Sequence, residues 1–282
     1  MAISNFQPTI WAATLLDTLK NSLVFGADGV VNRDYEGEIT GMGSSVKITS
    51  VSDPTVSDYV KDTDITVQSL TDASRTLPID KQKVFAFEVD DIDKAQAANG
   101  GGLLTQAAVQ AGYALRNVAD GLIATSMKTD AGNKLGARPV SSVDLAFQLL
   151  IDFRTKLKKN NAPDEGRWVI VNPEMYGKLL FDNRFINAQA SGSTDALLNG
   201  RVGRALGMTV YESNNCASGA TAGTSFIITA GHAMAATYAD QIVQVEAARM
   251  EKRFADLLKG LHVYGIKVTR PEILVTADVT VS

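Results

Sequence analysis

The chain has 282 residues and a formal net charge of −4, with 45% hydrophobic and 21% charged residues. These values are ordinary for globular protein, and the length allows one large domain or two smaller ones with a sizeable core. The sequence has no basic stripe and no run of about 18 apolar residues, which argues against a nucleic-acid-binding protein and against a membrane span. We also expect no signal peptide, because no basic region followed by a sustained apolar run occurs near the N-terminus.

The first 32 residues predict one amphipathic helix rather than a compact unit. Trp11, Leu15 and Val24 recur at roughly helical spacing, and the segment GADG at 26–29 ends the pattern. A single amphipathic helix cannot bury its own apolar face, so this helix must dock on another part of the same chain or on another chain.

Residues 33–90 predict a long, thin β-structure. Two strand-like runs, Ser45–Val51 and Asp64–Leu70, are rich in polar residues, whereas the run Leu77–Asp93 alternates between apolar odd positions and polar even positions. A hairpin of such runs would reach roughly 35–50 Å, and a two-stranded ribbon alone is marginal in water. We therefore expect a neighbouring subunit to cover it.

The strongest predicted helix lies within Asp90–Lys128. Its apolar side chains follow a 4-3-4-3-4 spacing, with Asp90 or Asp91 as candidate N-caps and Gly100–Gly102 as an interruption. The residues expected on its buried face are Leu104, Ala108, Ala111, Leu115, Val118 and Leu122.

The segment Gly132–Val140 has the character of a linker. Ser141–Pro163 predicts a second amphipathic helix, with a start at Ser141 that resembles a capping box and lysines in its last turn. Trp168–Val171 predicts a buried strand, and Asn172 is expected to cap a short helix that begins with a proline.

The last third predicts a polar loop at 182–203, a tight turn at Gly200–Gly207 and several strands. The final run, from Gly260 onward, predicts one long edge or bulged strand that is broken at Pro271. Residues 138–240 are expected to form a separate α/β lobe.

A search for catalytic and metal-binding patterns gives little. His232 and His262 are the two histidines, and neither has a glutamate at a zinc-site spacing, so we predict structural histidines and no metal site. The residue counts leave a Ser-His-Asp triad open, since its members can be far apart in sequence, but the sequence has no G-x-S-x-G elbow. The glycine-rich segments GMGSS and GRVGRALG lack the strand and helix context of a nucleotide-binding loop.

Two further groups of residues have simple interpretations. Cys216 is the single cysteine, lies in a loop of small residues without a local base, and predicts an unreactive thiol in a chain made in a reducing cytoplasm. The carboxylates of Glu88, Asp90, Asp91 and Asp93 could bind calcium weakly or could serve in helix capping, and their spacing does not match an EF-hand loop. We predict no catalytic residue, no metal and no cofactor.

The order and spacing of several segments resemble the major capsid proteins of tailed phages, which have the HK-97-like fold. The segments that carry the resemblance are LPIDKQKVFAFEVDDIDKAQA, ALRNVADGLIA, RWVIVNPEMYGKLL, GRVGRALGMTVYESNN and RFADLLKGLHVYGIKVTRPEILV. Each of them is loose by itself, but together they cover nearly the full length of the chain.

The resemblance implies an α+β fold in five parts. They are an N-terminal arm at 1–32, an extended β-loop at 33–90, a peripheral domain with a long spine helix at 91–137, an α/β axial domain at 138–240, and return strands of the peripheral domain at 241–282. The candidate inter-subunit contacts are Trp11, Leu15, Val46, Lys47, Ile48, Ile65, Val67, Arg201 and Arg204.

The resemblance also implies a function. Copies of the chain would assemble as pentamers and hexamers into an icosahedral shell around double-stranded DNA, with a separate scaffolding protein, a portal, and a decoration protein as a further candidate partner. The DNA would lie close by without specific binding, and no membrane is involved. We therefore expect the protein in the virion, and in the host cytoplasm during assembly. Two alternatives stay open: the shell of an encapsulin-type bacterial nanocompartment, and a hydrolase that uses a serine with His232 or His262.

Overall fold

A computed structural model of the chain describes residues 23–34, 45–51, 72–91, 102–182, 203–221, 223–250 and 253–281, together with positions 55, 56, 58, 59, 61, 62, 64 and 67–69. Four of the candidate contact residues, Trp11, Leu15, Ile65 and Arg201, lie outside the described residues. At Val46 the backbone is described but the side chain is not.

The described residues form an α+β structure of strands, three α-helices and two short 3-10 turns at Ala233–Ala235 and Pro271–Ile273. The helices are α1 (Gly102–Asp130), α2 (Val143–Lys159) and α3 (Pro173–Leu180). The strands are β1 (Ser45–Val51), β2 (Asp72–Pro78), β3 (Lys81–Asp90), β4 (Asn133–Val140), β5 (Arg167–Val171), β6 (Arg204–Ala205), β7 (Met208–Glu212), β8 (Ser225–His232), β9 (Ala236–Arg249), β10 (Ala255–Val268) and β11 (Leu274–Val281).

The strands make three sheets. Strands β1 and β2 pair as an antiparallel ribbon, and β3, β10 and β9 form an antiparallel sheet in that order. A six-stranded mixed sheet has the order β4-β11-β8-β5-β7-β6, in which β4 is parallel to β11 and β5 is parallel to β7. We call the three-stranded sheet the peripheral sheet and the β1–β2 pair the ribbon.

The six-stranded sheet is built around β5, all five of whose residues are buried, which confirms the buried strand predicted at Trp168–Val171. Helix α2 turns a stripe of buried side chains inward, including Leu150, Phe153 and Leu157, which is the pattern of an amphipathic helix on a core. Its N-cap is Ser142, one residue after the predicted position, and the Ser142 hydroxyl accepts from the Leu145 amide. Asn172 caps α3 as predicted.

Helix α1 confirms the predicted long helix and most of its predicted buried face, since Ala108 and Leu115 are buried and Ala111 and Leu122 pack against buried residues. Leu115, Ala119, Ile123 and Met127 follow each other at intervals of four residues and are buried, whereas Val118 is 45% exposed.

The end of the predicted N-terminal arm, residues 23–32, is buried against its own chain, which is one of the two alternatives that the sequence left open for it. Leu23, Phe25, Val30 and Val31 are at most 5% exposed and belong to the same core cluster as α1, α2 and the six-stranded sheet. The carboxylate of Asp120 on α1 accepts hydrogen bonds from the amides of residues 24 and 26, at 3.1 and 3.4 Å. This segment therefore needs no second chain to cover it.

Asp120 gives a testable pH dependence. Burial raises the pKa of its carboxyl above the ordinary value of 3.8, against the opposing effect of the two backbone hydrogen bonds. The folded chain thus holds this proton more tightly than the unfolded chain, and the contribution of Asp120 to stability falls as pH rises from the ordinary pKa through the raised one. We expect Asp120→Asn to flatten this part of the curve of unfolding free energy against pH, measured by urea titration between pH 3.5 and 7.

A wild-type curve and an Asp120→Asn curve of the same shape would contradict this assignment.

Two sequence predictions about strands were wrong. The segment predicted as a linker is β4, an edge strand whose residues are mostly exposed, so it lacks the apolar alternation that marks a half-buried strand. The partner of β1 is Asp72–Pro78, and in the run Asp64–Leu70, which the sequence predicted to be strand-like, the described positions are not in a strand.

The final run also differs from the prediction of one broken strand. It consists of β10 and β11, which lie in different sheets on either side of the turn at Pro271–Ile273. Strand β11 pairs with β8 and so shares a sheet with strands of the predicted axial part, 138–240, although the predicted boundary assigned 241–282 to the peripheral part. The division into five parts otherwise stays a prediction.

Candidate assembly surfaces

The ribbon carries apolar side chains near its far end. Val51 pairs with Asp72 at the last rung of the ladder, and further along the chain the amide of Thr55 donates to the side-chain oxygen of Gln68 at 2.8 Å. Three large apolar side chains occur in this region: Val56 is 93% exposed, Tyr59 76% and Val67 90%. We call them the ribbon tip. Large apolar side chains that a subunit leaves this exposed are candidates for contact with another chain.

The base of the ribbon is fixed to its own subunit. Leu77 and Ile79 are buried with Val263 of the peripheral sheet in a small separate core cluster. At Gly265 on β10 the backbone of the ribbon comes so close that a Cβ atom would overlap the carbonyl oxygen of Pro78. Only a glycine fits this approach, so the ribbon starts from a rigid seat.

The inner face of the peripheral sheet packs on the long helix. Phe85 of β3 packs against Leu115 of α1, as does Ala111, and the ring of Phe85 lies directly over Gly260 of β10. Phe85 and Phe87 stack with their ring centroids 6.2 Å apart. The apolar face that the sequence predicted for β3 is thus covered in part by α1 of the same chain.

The carboxylates once considered for calcium form ion pairs with arginines. Glu88 pairs with Arg253 at 2.7 Å, and Asp91 pairs with Arg249. Asp93 lies outside the described residues, and no group of three metal-binding side chains occurs among those that are described. Because these ion pairs are exposed, they contribute little to stability and weaken with salt.

The two histidines have different surroundings. The Nε2 atom of His232 lies 2.8 Å from the carbonyl oxygen of Glu165, and its Nδ1 accepts from the Met234 amide, which is the predicted structural role. His262 is fully buried, 3.5 Å from Asp240, and stacks on Tyr264. In the described part of the chain neither ring is hydrogen-bonded to a serine, so nothing resembles a nucleophile-base pair.

Cys216 is buried, and burial raises the pKa of its thiol to about 12 from an ordinary 9.0. Since only the thiolate reacts, we expect iodoacetamide at pH 8 to alkylate the unfolded chain about a thousand-fold faster than the folded one, as followed by mass spectrometry. Rapid alkylation without unfolding would contradict the buried position.

The candidate contact residues that the structure describes are not all in one place. Lys47 is exposed and pairs with Thr76 across the ribbon, and Val67 lies at the ribbon tip. Ile48 packs partly against the buried base of the ribbon, which makes it in part a contact within its own subunit. Arg204 is exposed on β6, in the six-stranded sheet, next to a tight turn in which Leu206 and Gly207 have positive φ.

Sequence reasoning missed three residues of this surface. Val56 and Tyr59 stand out only as large apolar residues in a polar segment, a signal that was available but not used. Gly265 gave no signal, because its role depends on the position of Pro78 almost 190 residues away.

Among the described residues, none of the helices combines the length and apolar character that crossing a membrane requires.

Residues 72–277 match the family model of phage capsid proteins. No curated protein matches the chain.

The chain is similar to several solved structures. A structure from Mycobacterium phage Che8 shares 35% sequence identity, covers 90% of each chain and has a TM-score of 0.75. The capsid structure of cyanophage P-SCSP1u shares 19% identity over 93% of this chain and 89% of that one, with a TM-score of 0.71. The head structure of Helicobacter pylori bacteriophage KHP40 shares 10% identity over 84% and 85%, with a TM-score of 0.61. At these identities the last two show a shared fold.

Proposed function

The chain belongs to the phage capsid protein family and is a major capsid protein with the HK-97-like fold, and from this premise we propose that it builds the icosahedral head shell around the double-stranded DNA of a tailed phage. The observation that carries the proposal is the match of most of the chain to that family. The encapsulin-type alternative is not favoured, because both the family and the 35%-identical structure belong to phages.

The ribbon supports self-assembly in physical terms. Its base is buried within the subunit, but Val56, Tyr59 and Val67 are left at least three-quarters exposed. Covering them in a second copy removes apolar surface from water, and fully burying each side chain is worth about 1.5–3 kcal/mol. Each subunit in a closed shell has several neighbours, so modest contacts add up to a stable particle.

The arrangement of contacts is part of the proposal. Trp11, Leu15, Val46, Lys47, Ile65 and Val67 would contact neighbours through the arm and the ribbon, and Arg201 and Arg204 through the axial part. Ile48 would do so only with the portion of its side chain that its own subunit leaves uncovered. Pentamers and hexamers would form from the same chain.

The partners beyond the shell are proposals as well. A separate scaffolding protein and a portal would act during assembly in the host cytoplasm, and a decoration protein could bind the finished virion. The net charge of −4 is consistent with a shell subunit that lies next to DNA without binding it tightly. We propose no catalytic role: His232 is held by backbone groups, and Cys216 is buried with its pKa raised.

Sedimentation velocity and negative-stain microscopy of the purified chain test the proposal. Hollow particles, or rings of five and six subunits, are the expected result. A chain that stays monomeric up to millimolar concentration would overturn it. Particles purified from infected or expressing cells should carry nucleic acid or scaffold, whereas a copurified enzyme inside them would favour the nanocompartment.

A further inference from the structure

The chain passes three times between the peripheral part of the subunit and the six-stranded sheet. These passages are residues 131–132 between α1 and β4, the turn Ala233–Ala235 between β8 and β9, and residues 269–273 between β10 and β11. We call these three segments the crossings. They link the two parts covalently, so hydrogen bonds among them help to fix the orientation of one part relative to the other.

The crossing 269–273 is hydrogen-bonded to the other two. The amide of Thr269 donates to the carbonyl oxygen of Ala235 at 2.9 Å, and the hydroxyl of Thr269 donates to the same oxygen at 3.2 Å. On the other side, the amide of Gly132 donates to the carbonyl oxygen of Pro271 at 3.0 Å. This crossing therefore joins the three segments into one hydrogen-bonded unit.

The ribbon is bound to the same crossing through Arg75. The guanidinium of Arg75 donates a hydrogen bond to the carbonyl oxygen of Thr269, which is 194 positions away in sequence. Arg75 lies in the middle of β2, on the same face of the strand as Leu77, whose side chain is buried against the peripheral sheet. The arginine side chain thus extends from the middle of the ribbon toward its own subunit.

The ribbon is therefore attached to its subunit at two separate points. The close contact of Pro78 with Gly265 fixes the inner end, and Arg75 is bound four residues further along the chain, at Thr269. Four residues of extended chain span about 13 Å, so the two points are well apart. One contact fixes where the ribbon begins, whereas a second contact at this distance also fixes the direction in which its outer half extends.

We propose that Arg75 is a positioning residue, which holds the outer half of the ribbon at one angle to the two sheets by binding the crossing at Thr269. Arginine is suited to this role because it combines a long stem with several N–H donors in one rigid group. The bond is exposed to solvent, so its loss leaves the subunit folded and widens the range of ribbon orientations.

This role has a consequence for assembly. The angle of the outer half determines where the ribbon tip, Val56, Tyr59 and Val67, is presented to a neighbouring copy. This consequence rests on the proposed function, whereas the angle itself is a property of the single subunit and is measured independently of any shell.

Double electron–electron resonance tests the role of Arg75 by measuring the spread of distances between two spin labels. One label is attached at Thr55→Cys, just beyond the paired part of the ribbon, and the other at Lys159→Cys, the last residue of α2. Both positions are exposed, and the buried Cys216 stays unlabelled. An excess of unlabelled chain ensures that each distance is measured within one subunit, whatever assembly forms.

Arg75→Met keeps the length of the side chain but removes every donor, and it should broaden the distance distribution about two-fold. Arg75→Lys retains a donor and should give an intermediate width. Lys47→Met is the matched control, because Lys47 is paired with Thr76 and lies on the opposite face of the ribbon from Arg75. It removes a cation from the neighbouring rung and should leave the width unchanged.

Thr269→Val tests the other end of the bond. This variant loses the hydroxyl that donates to Ala235 but keeps the carbonyl oxygen that Arg75 binds, so it should broaden the distribution less than Arg75→Met does. The double variant should be no broader than Arg75→Met alone, since both substitutions act on one connection.

Equal widths in wild type and Arg75→Met would refute the role of Arg75, and so would an equal broadening in Lys47→Met or a double variant whose two effects add. Hydrogen-exchange protection of the buried strand β5 reports whether each variant is folded. Unfolding of Arg75→Met would also refute the proposal, because the bond would then hold the subunit together rather than orient the ribbon. Failure of the chain to form particles would overturn the proposed function and leave these widths unaffected.

Discussion

Replacing Gly265 by alanine is expected to disrupt the contact between the ribbon and the peripheral sheet and to lower the free energy of unfolding by about 3 kcal/mol. The added methyl group would overlap the carbonyl oxygen of Pro78, and this atom belongs to the backbone of the ribbon, so no change of rotamer can relieve the overlap. Thermal unfolding should show the loss as a fall in Tm of about 6–12 °C. Shells should then form poorly or not at all.

Substitutions at two other glycines serve as controls for Gly265→Ala. At Gly121 in α1 a Cβ atom meets nothing within 4 Å, so Gly121→Ala should be neutral or stabilising by about 0.5–1 kcal/mol. At Gly260 the overlap is with the ring of Phe85, which can move, so Gly260→Ala should cost less than Gly265→Ala. Equal stability of the Gly121 and Gly265 variants would show that the ribbon is not seated on Gly265.

Replacing Tyr59 by aspartate is expected to weaken shell formation strongly while leaving the subunit folded. The side chain is 76% exposed, so its own subunit gains little from it, but a neighbour that covers it would have to bury a carboxylate instead of an aromatic ring. A loss of about 3 kcal/mol per contact raises the concentration needed for assembly about a hundred-fold. Light scattering during assembly and the Tm of the subunit measure the two effects separately.

The ribbon tip offers its own controls. Tyr59→Phe keeps the ring and should assemble almost normally. Lys61→Glu adds negative charge to the same exposed segment without removing apolar surface, and it should have a much smaller effect. If Tyr59→Asp assembles like wild type, or if Lys61→Glu is equally damaging, burial of the tip does not drive assembly.

The parts of the fold that could be predicted are those in which a whole face or a whole strand is buried. The five residues of β5 and the stripe of α2 are of this kind, because burial of a complete face imposes a periodic pattern on the sequence. Edge strands carry no such pattern. Strand β4 has one fully buried residue at its end, and β2 mixes charged and apolar positions, so both were missed or misplaced.

Contacts between distant segments could not be predicted from local patterns. The burial of Leu23 and Phe25 depends on Asp120, which holds the turn between them from α1. The hydrogen bond from Arg75 to Thr269 joins residues 194 positions apart. Nothing in the neighbourhood of either one of them indicates the other. The resemblance to capsid proteins identified the family, but the seat of the ribbon at Gly265 had to be seen in three dimensions.

Because of the close contact at Gly265, the ribbon moves as one body with the peripheral sheet. Strands of seven residues extend about 23 Å at roughly 3.3 Å per residue, and their inner end cannot pivot independently of the peripheral sheet. A tilt of about 10° in that sheet would therefore carry the outer end by about 4 Å, given this length. The curvature of a particle differs slightly from one position to the next. Such a difference would displace the outer end of the ribbon more than its base, so it would first change the contact between that outer end and a neighbouring subunit.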